Sequence, residues 1–451
     1  MKKNYDVLKE LDKGSYQNNK VVDMGGIPFS VRDLVVKAPL LAGLNVYLVG
    51  ATGEGKTQLA HDLASYFGKD YIYTMGRPSF EPSELLRKIN LAKLKEAKDD
   101  KELVELTQNV EKVLFYVDEL NRMPPLVQNY LFDFFDGRCE NPNGGAPVRL
   151  GKSGYHIGFG TGNLGDGDYV GISDSDRALK DRMHLTLKLD HPDFGTTPLD
   201  DYDILSSKKN PRATMAQGNE NHTDEIIKLH QQFQEREVPS IIPLLGVYFT
   251  KGLDYLENTK KHSKKTVEVK WPNIEGIRSD TDESKIMPLS KRAVLSSITL
   301  SQALEMIAEY RNNSLEKPLE IDSVKMFLDS LKLTTPFSGV FNPAYVYNEC
   351  NTDNYEAFDN VLGVNSVNRI NINAKQSDLE EALFLAEAGK KDVSLLDKIA
   401  NPRNSSDGKW MPIRATLAGY ADRREQNPSE EGMRIRDILE KIEEDYQNQQ
   451  K

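Results

Sequence analysis

Cysteine is nearly missing from this 451-residue chain, which carries only Cys139 and Cys350. The two lie far apart with no Cys-x-x-Cys or Cys/His spacing, which excludes a disulfide framework and a structural zinc site as organising devices. Long apolar runs are also lacking. None approaches the roughly 20 residues that cross a bilayer, and the polar start Met1-Lys2-Lys3-Asn4-Tyr5-Asp6 has no signal-peptide pattern. The expectation is a soluble, cytoplasmic protein without a membrane span. Positive charge is in deficit, with a formal net charge of -11, so general adhesion to nucleic acid is disfavoured and only a local basic groove stays open. Histidine is sparse, seven in all and never as His-Glu-x-x-His, which removes that class of metal centre.

Against this background one segment stands out. Val46-Tyr47-Leu48-Val49 reads as a buried strand running into Gly50-x-x-x-x-Gly55-Lys56-Thr57, and Gln58-Leu59-Ala60-His61-Asp62-Leu63-Ala64 reads as the helix that follows. Glycines let the backbone curl with its N–H groups pointing inward, and those amides and the positive helix end attract phosphate. The candidate nucleotide-binding residues are Gly50, Thr52, Gly53, Glu54, Gly55, Lys56, Thr57 and Gln58. Lys56 is placed to reach the β- and γ-phosphates, and Thr57 to ligate Mg²⁺.

The surrounding pattern alternates strands and helices, which argues for an α/β sheet. Residues 33–43 predict a helix stopped by Gly43. Residues 71–74 predict a second strand, and the charged stretch 91–111 an exposed helix. Val113-Leu114-Phe115-Tyr116-Val117 has the continuous apolar character of a parallel strand buried on both faces. A Gly-, Pro- and Asn-rich hairpin or loop at 137–154 precedes strands at 156–160 and 183–189. Residues 193–222 read as loop. Beyond them helices dominate: Leu300, Ala303, Leu304, Ile307 and Ala308 share one helical face. Length alone suggests two or three domains, here 1–195, 196–314 and 315–451.

The strand ending at Val117 leads into Asp118-Glu119. An acidic residue at the carboxyl edge of a buried strand can hold Mg²⁺, and a second beside it can activate water. Asp118 takes the metal role and Glu119 the water.

Asp118-Glu119-Leu120-Asn121-Arg122-Met123-Pro124-Pro125-Leu126-Val127-Gln128 resembles the Asp-Glu-x-Asn-Arg-x-Pro-Pro-x-x-Gln signature of MoxR-like AAA+ ATPases. Leu41 to Gly50 is similar to that family's lead-in to the P-loop. Gly158-Phe159-Gly160-Thr161-Gly162-Asn163 resembles the strand ending in the sensor 1 asparagine. Tyr169-Val170-Gly171, with Ser175-Asp176-Arg177-Ala178-Leu179-Lys180-Asp181-Arg182-Met183, resembles the segment carrying the arginine finger, and Ser290-Lys291-Arg292-Ala293 resembles the sensor 2 motif. The matches run in family order from about residue 20 to about residue 310.

The resemblance implies a P-loop AAA+ three-layer α/β domain with a parallel sheet, an α-helical lid and a further, mostly helical C-terminal region. It implies ATP and Mg²⁺ as ligands, with Asn163 on the attacking water or γ-phosphate and Arg292 on the γ-phosphate from the lid. Arg182 would enter the neighbouring subunit's site, Arg177 being the alternative finger. It further implies a homo-oligomeric ring, a hexamer, acting on a protein partner such as one with a von Willebrand factor A domain. The alternative function is a nucleic-acid motor, although the only basic run is Lys260-Lys261-His262-Ser263-Lys264-Lys265, which reads as a solvated loop. A P-loop kinase is a weaker alternative, since kinases do not need sensor and finger motifs in this order.

Residues 315–451 match no family motif. Ser377-x-x-Glu380 opens a predicted helix through Ala388, Phe337 to Pro343 and Trp410-Met411-Pro412 are predicted packing segments with docking surfaces as the alternative, and Ile435, Ile438, Leu439, Ile442 and Tyr446 form an apolar stripe suited to packing or docking.

Overall fold

The computed structural model describes residues 6–363, apart from 80–82, 91–103, 130, 143, 164–176, 208–211, 214–219, 240, 255–263 and 265–283. The readings of Tyr169 to Asp176, of Ser377 to Gly389, of Trp410 to Pro412 and of the final helix fall outside the described residues. The chain divides into two compact units, Met1–Arg236 with Gln302–Ile321, and Glu237–Ser301 with Asp322–Lys451.

The first unit is built on five parallel strands: β1 (Val46–Val49), β2 (Tyr71–Met75), β3 (Leu114–Asp118), β4 (Ile157–Gly162) and β5 (Leu185–Lys188), in the spatial order β5-β1-β4-β3-β2. Strands β1, β3 and β4 are buried along their whole length, as their continuous apolar sequences require when helices cover both faces. Register is set by pairs such as Phe159 with Val46 and Tyr116 with Phe159. Strand β4 reads Ile-Gly-Phe-Gly-Thr-Gly, and the glycines make room for aromatics. A Cβ on Gly158 would lie 2.2 Å from the Phe135 ring, and one on Gly162 would lie 2.2 Å from the Tyr47 hydroxyl.

Between β1 and β2 runs α1 (Lys56–Ser65), whose Leu59, Ala60, Leu63 and Ala64 are buried. Upstream, a π turn at Asp33–Lys37 leads into Ala38–Ala42. Pro39 has no N–H to give an ordinary helical bond, and the widened turn, with Ala38 N–H reaching back to the Asp33 oxygen, accommodates it. Gly43 then ends the helix in the left-handed region at φ 70°, where the sequence places the stop.

Two segments differ from expectation. In the charged stretch, Val104–Leu106 is a strand paired antiparallel with Arg87–Ile89, followed by a 3₁₀ turn at Gln108–Glu111. Leu86 and Leu106 join the apolar cluster over the sheet, an anchor that outweighs the helical preference of the flanking charges; residues 91–103 are outside the description. The region 193–222 is not all loop either. It contains α3 (Pro198–Ser206), opened by a reciprocal cap between Thr197 and Asp200 with Pro198 in the first turn; α2 is Arg177–Arg182. Of the two alternatives for 137–154, hairpin or loop, the short antiparallel strands Arg138–Cys139 and Val148–Arg149 form the hairpin.

The described part of the second unit is mostly helical. Ile241–Val247, Ser323–Thr334, Pro343–Glu349 and Asn354–Val361, with the start of the 22-residue α4 (Lys291–Asn312), close over a core of Leu245, Phe249, Phe327, Leu331, Phe341 and Phe358. Phe341 therefore packs, as expected for its segment. Lys264, expected in a solvated loop, is instead 1% exposed, and its Nζ donates to the Ile286 carbonyl at 2.7 Å, which satisfies the charge inside. Leu300, Ala303, Leu304, Ile307 and Ala308 are all buried on α4. Among the described residues no helix is long and apolar enough to cross a membrane.

Candidate functional site

A cavity of about 970 Å³ opens at the carboxyl ends of the parallel strands in the first unit, where α/β sheets place their ligands. Its floor is the loop from β1 to α1. Gly50, Gly53 and Gly55 take φ values of 144°, 98° and 75°, which side chains rarely adopt. At Gly55 crowding adds to this, since a Cβ would meet the Tyr16 ring at 2.8 Å. The loop delivers α1 with Gly55 as its cap, so the free amides and the positive end of a ten-residue helix open at the cavity.

Lys56 is buried, and its Nζ donates to the carbonyls of Gly50 at 2.8 Å and Ala51 at 2.5 Å. Burial lowers its pKa, against the pull of Asp190, Glu54, Asp118 and Glu119. Asp190, just past β5, accepts the Ala51 N–H at 3.1 Å, and burial together with Asp190 raises the Glu54 pKa. Thr52, Gly53, Glu54, Gly55, Thr57 and Gln58 face the cavity with Lys56, while Gly50 stands behind them.

Asp118, Glu119 and Asn163 line the same cavity. Thr57 Oγ1 lies 3.5 Å from Asp118 Oδ1, at the outer limit of a hydrogen bond. The Thr161 hydroxyl donates to the same carboxylate oxygen and accepts the Glu119 N–H at 3.1 Å, so one β4 side chain binds the Asp118 carboxylate and the backbone of Glu119. Glu119 sits in the left-handed region at φ 53° and ψ 45°, turning the chain sharply as it leaves the sheet. Asn121 bonds to the backbone of Asn163.

The two arginines assigned from the sequence belong to different units. Arg182, at the end of α2, does not line the cavity; its Nε pairs with Asp136 at 3.1 Å and its guanidinium lies 4.4 Å over the Phe132 ring. Arg292 is in the second unit, on the first turn of α4, where Ser290 Oγ caps the helix by accepting the Ala293 N–H at 3.0 Å.

Several site residues escaped the sequence reading. Ser15, Tyr16 and Gln17 form one wall of the cavity and Ile204 and Leu205 of α3 another. Asp62 holds the first wall by accepting the N–H groups of Ser15 at 3.1 Å and Tyr16 at 2.8 Å, with Arg32 Nη2 at 2.9 Å. Burial raises the Tyr16 hydroxyl to about 12, so it stays protonated. Aspartate on α1 spaced one turn from Gln58, to which it bonds at 2.9 Å, was the only local signal.

The strand order, the glycine loop and the acidic pair at the end of β3 define a P-loop α/β domain of AAA+ fold. Residues 45–183 match the model of the AAA domain, dynein-related subfamily, a stretch that spans the P-loop, Asp118-Glu119, Asn163 and Arg182. An AAA domain is a nucleotide-binding domain. No curated protein is significantly similar to the chain. Among solved structures it is similar to a candidate ATPase from Cytophaga hutchinsonii, with 14% identity over 71% of this chain and 87% of that one and a TM-score of 0.45.

Proposed function

We propose that this chain is a Mg²⁺-dependent, MoxR-like AAA+ ATPase that works as a ring, with a hexamer as the expected form, to remodel or activate a protein partner. The observation that carries the reading is the convergence of the buried Lys56, the Asp118-Glu119 pair and Asn163 on one cavity at the strand ends.

In this reading the loop amides and Lys56 bind the triphosphate, and Lys56 exchanges its bonds to the Gly50 and Ala51 carbonyls for phosphate oxygens. Glu119 orients the attacking water and takes its proton, and Asn163 holds that water or the γ-phosphate without changing charge. The hard oxygens of Thr57 and Asp118, 3.5 Å apart, suit Mg²⁺, which takes few protein ligands and completes its shell with water and phosphate. Bound there, it would offset negative charge on the phosphates. Tyr16, Ile204 and Leu205 supply apolar surface for the base.

Arg182 acts on the neighbouring subunit's nucleotide, consistent with its place away from its own cavity, and Arg292 reports nucleotide state from the lid, taken as residues 196–314. Residues 315–451 recognise the partner, for which a von Willebrand factor A domain protein is the class implied by the family signature. The setting is the cytoplasm.

The test is phosphate release from ATP by the full chain, with and without Mg²⁺, alongside its oligomeric state with bound ATP. Absence of ATP binding at micromolar concentrations would overturn the reading.

A further inference from the structure

Both carboxylate oxygens of Glu119 are already engaged. Arg122, one turn on, donates Nη2 to Oε1 at 2.9 Å and brings Nε to 2.8 Å from Oε2, the two-pronged geometry in which a guanidinium binds a carboxylate best. The Glu119 backbone is anchored beside this pair, with its N–H donating to Thr161 at 3.1 Å and its φ at 53°. A carboxylate removes a proton from water through an oxygen lone pair aimed at that water. With each oxygen facing a guanidinium donor, the pair competes with the water.

Resting on the assignment of Glu119 as the water-activating group, we propose that Arg122 is a positioning residue that masks Glu119, and that hydrolysis runs through the fraction of sites in which Arg122 has let go. Exposure sets the strength of the mask. The Arg122 side chain is 59% exposed and that of Glu119 29%, so water and salt contest the pair, and release opens no part of the core. Pairs of this exposure favour the joined state by no more than about five-fold. The mask therefore tunes the rate and does not abolish it.

The test is steady-state ATP hydrolysis by the full chain. Arg122→Ala should raise kcat about three- to five-fold with KM for ATP unchanged, the size expected when an exposed pair is removed. Arg122→Lys, which keeps the charge and loses the two-pronged grip, should fall between. A kcat that is unchanged or lower in Arg122→Ala, with ATP binding intact, overturns the mask. Arg122→Gln is read by the same criterion if the alanine variant folds poorly. Glu119→Gln runs beside these. If it is silent and Arg122→Ala does not accelerate, the mask alone fails; if it hydrolyses ATP at the full rate, the role given to Glu119 fails.

Discussion

Asn121 clamps the backbone of Asn163: its Nδ2 donates to the Asn163 carbonyl at 2.8 Å and its Oδ1 accepts the Asn163 N–H at 3.3 Å. Asn121 is 4% exposed, so the clamp lies where no water replaces it cheaply. It ties the turn after β3 to the end of β4, setting the distance between Glu119 and Asn163. Asn121→Ala should cost about 1–3 kcal/mol of stability by leaving buried backbone groups unpaired. It should also lower kcat roughly ten- to a hundred-fold by misplacing Asn163, with ATP affinity held. Chemical denaturation and phosphate-release kinetics on the same preparation check both.

On the roles proposed for them, Lys56 and Glu119 act at different steps, so their variants should separate binding from chemistry. Lys56→Ala should abolish binding of a labelled ATP analogue. Glu119→Gln should bind it and release no phosphate, since only the group that takes the proton has gone. Full hydrolysis by the glutamine variant would remove Glu119 from the catalytic role.

Arg182 is tied to Asp136 and stacked on Phe132, an arrangement that holds its partly buried guanidinium in a fixed place. Arg182→Ala should bind ATP and lose turnover, by a factor of about 10³ or more if it neutralises charge in the transition state. Mixing these subunits with Glu119→Gln subunits should restore some hydrolysis where an intact Glu119 meets an intact Arg182. No recovery in verified mixed rings would place Arg182 in cis or outside the reaction.

Burial lowers the His156 pKa to about 4 from an ordinary value near 6.5. The folded state thus binds its proton only well below the pH at which the unfolded chain does. Its contribution to stability is complete above about pH 6.5 and is lost progressively as pH falls toward 4, by up to about 3 kcal/mol. Thermal melts of the native chain and of His156→Gln between pH 7 and pH 4.5 should show a shallower decline in the variant. Parallel curves would assign the acid sensitivity to other groups.

Much of the first unit is legible from sequence because its central strands are buried on both faces, and residues 46–49 and 113–117 announce this as unbroken apolar runs. The P-loop is legible for another reason: its chemistry is carried by consecutive backbone amides, so the whole device lies in one short string. What stayed hidden depends on long-range pairing. Tyr16 reaches the cavity only because Asp62, 46 positions away, binds its N–H, and Thr161 gains its role only when β4 lies beside β3. Helix α3 was obscured by the polarity of its neighbourhood, although Thr197-Pro198-Leu199-Asp200 carries a local start signal. The hairpin strand Val104–Leu106 is too short for its alternation to stand out among charges.

With Glu119 in its proposed catalytic role, the left-handed turn there sets stability and activity against each other at one residue. Such a backbone costs a non-glycine residue about 1–2 kcal/mol, and Gly76 alongside it has no room for even a methyl group, since a Cβ there would lie 2.2 Å from the Glu119 carbonyl oxygen. Sequences selected for thermal resistance alone should therefore drift to glycine or asparagine at position 119 and lose the carboxylate. Stabilised variants of this chain gathered without an activity screen should be enriched in those substitutions.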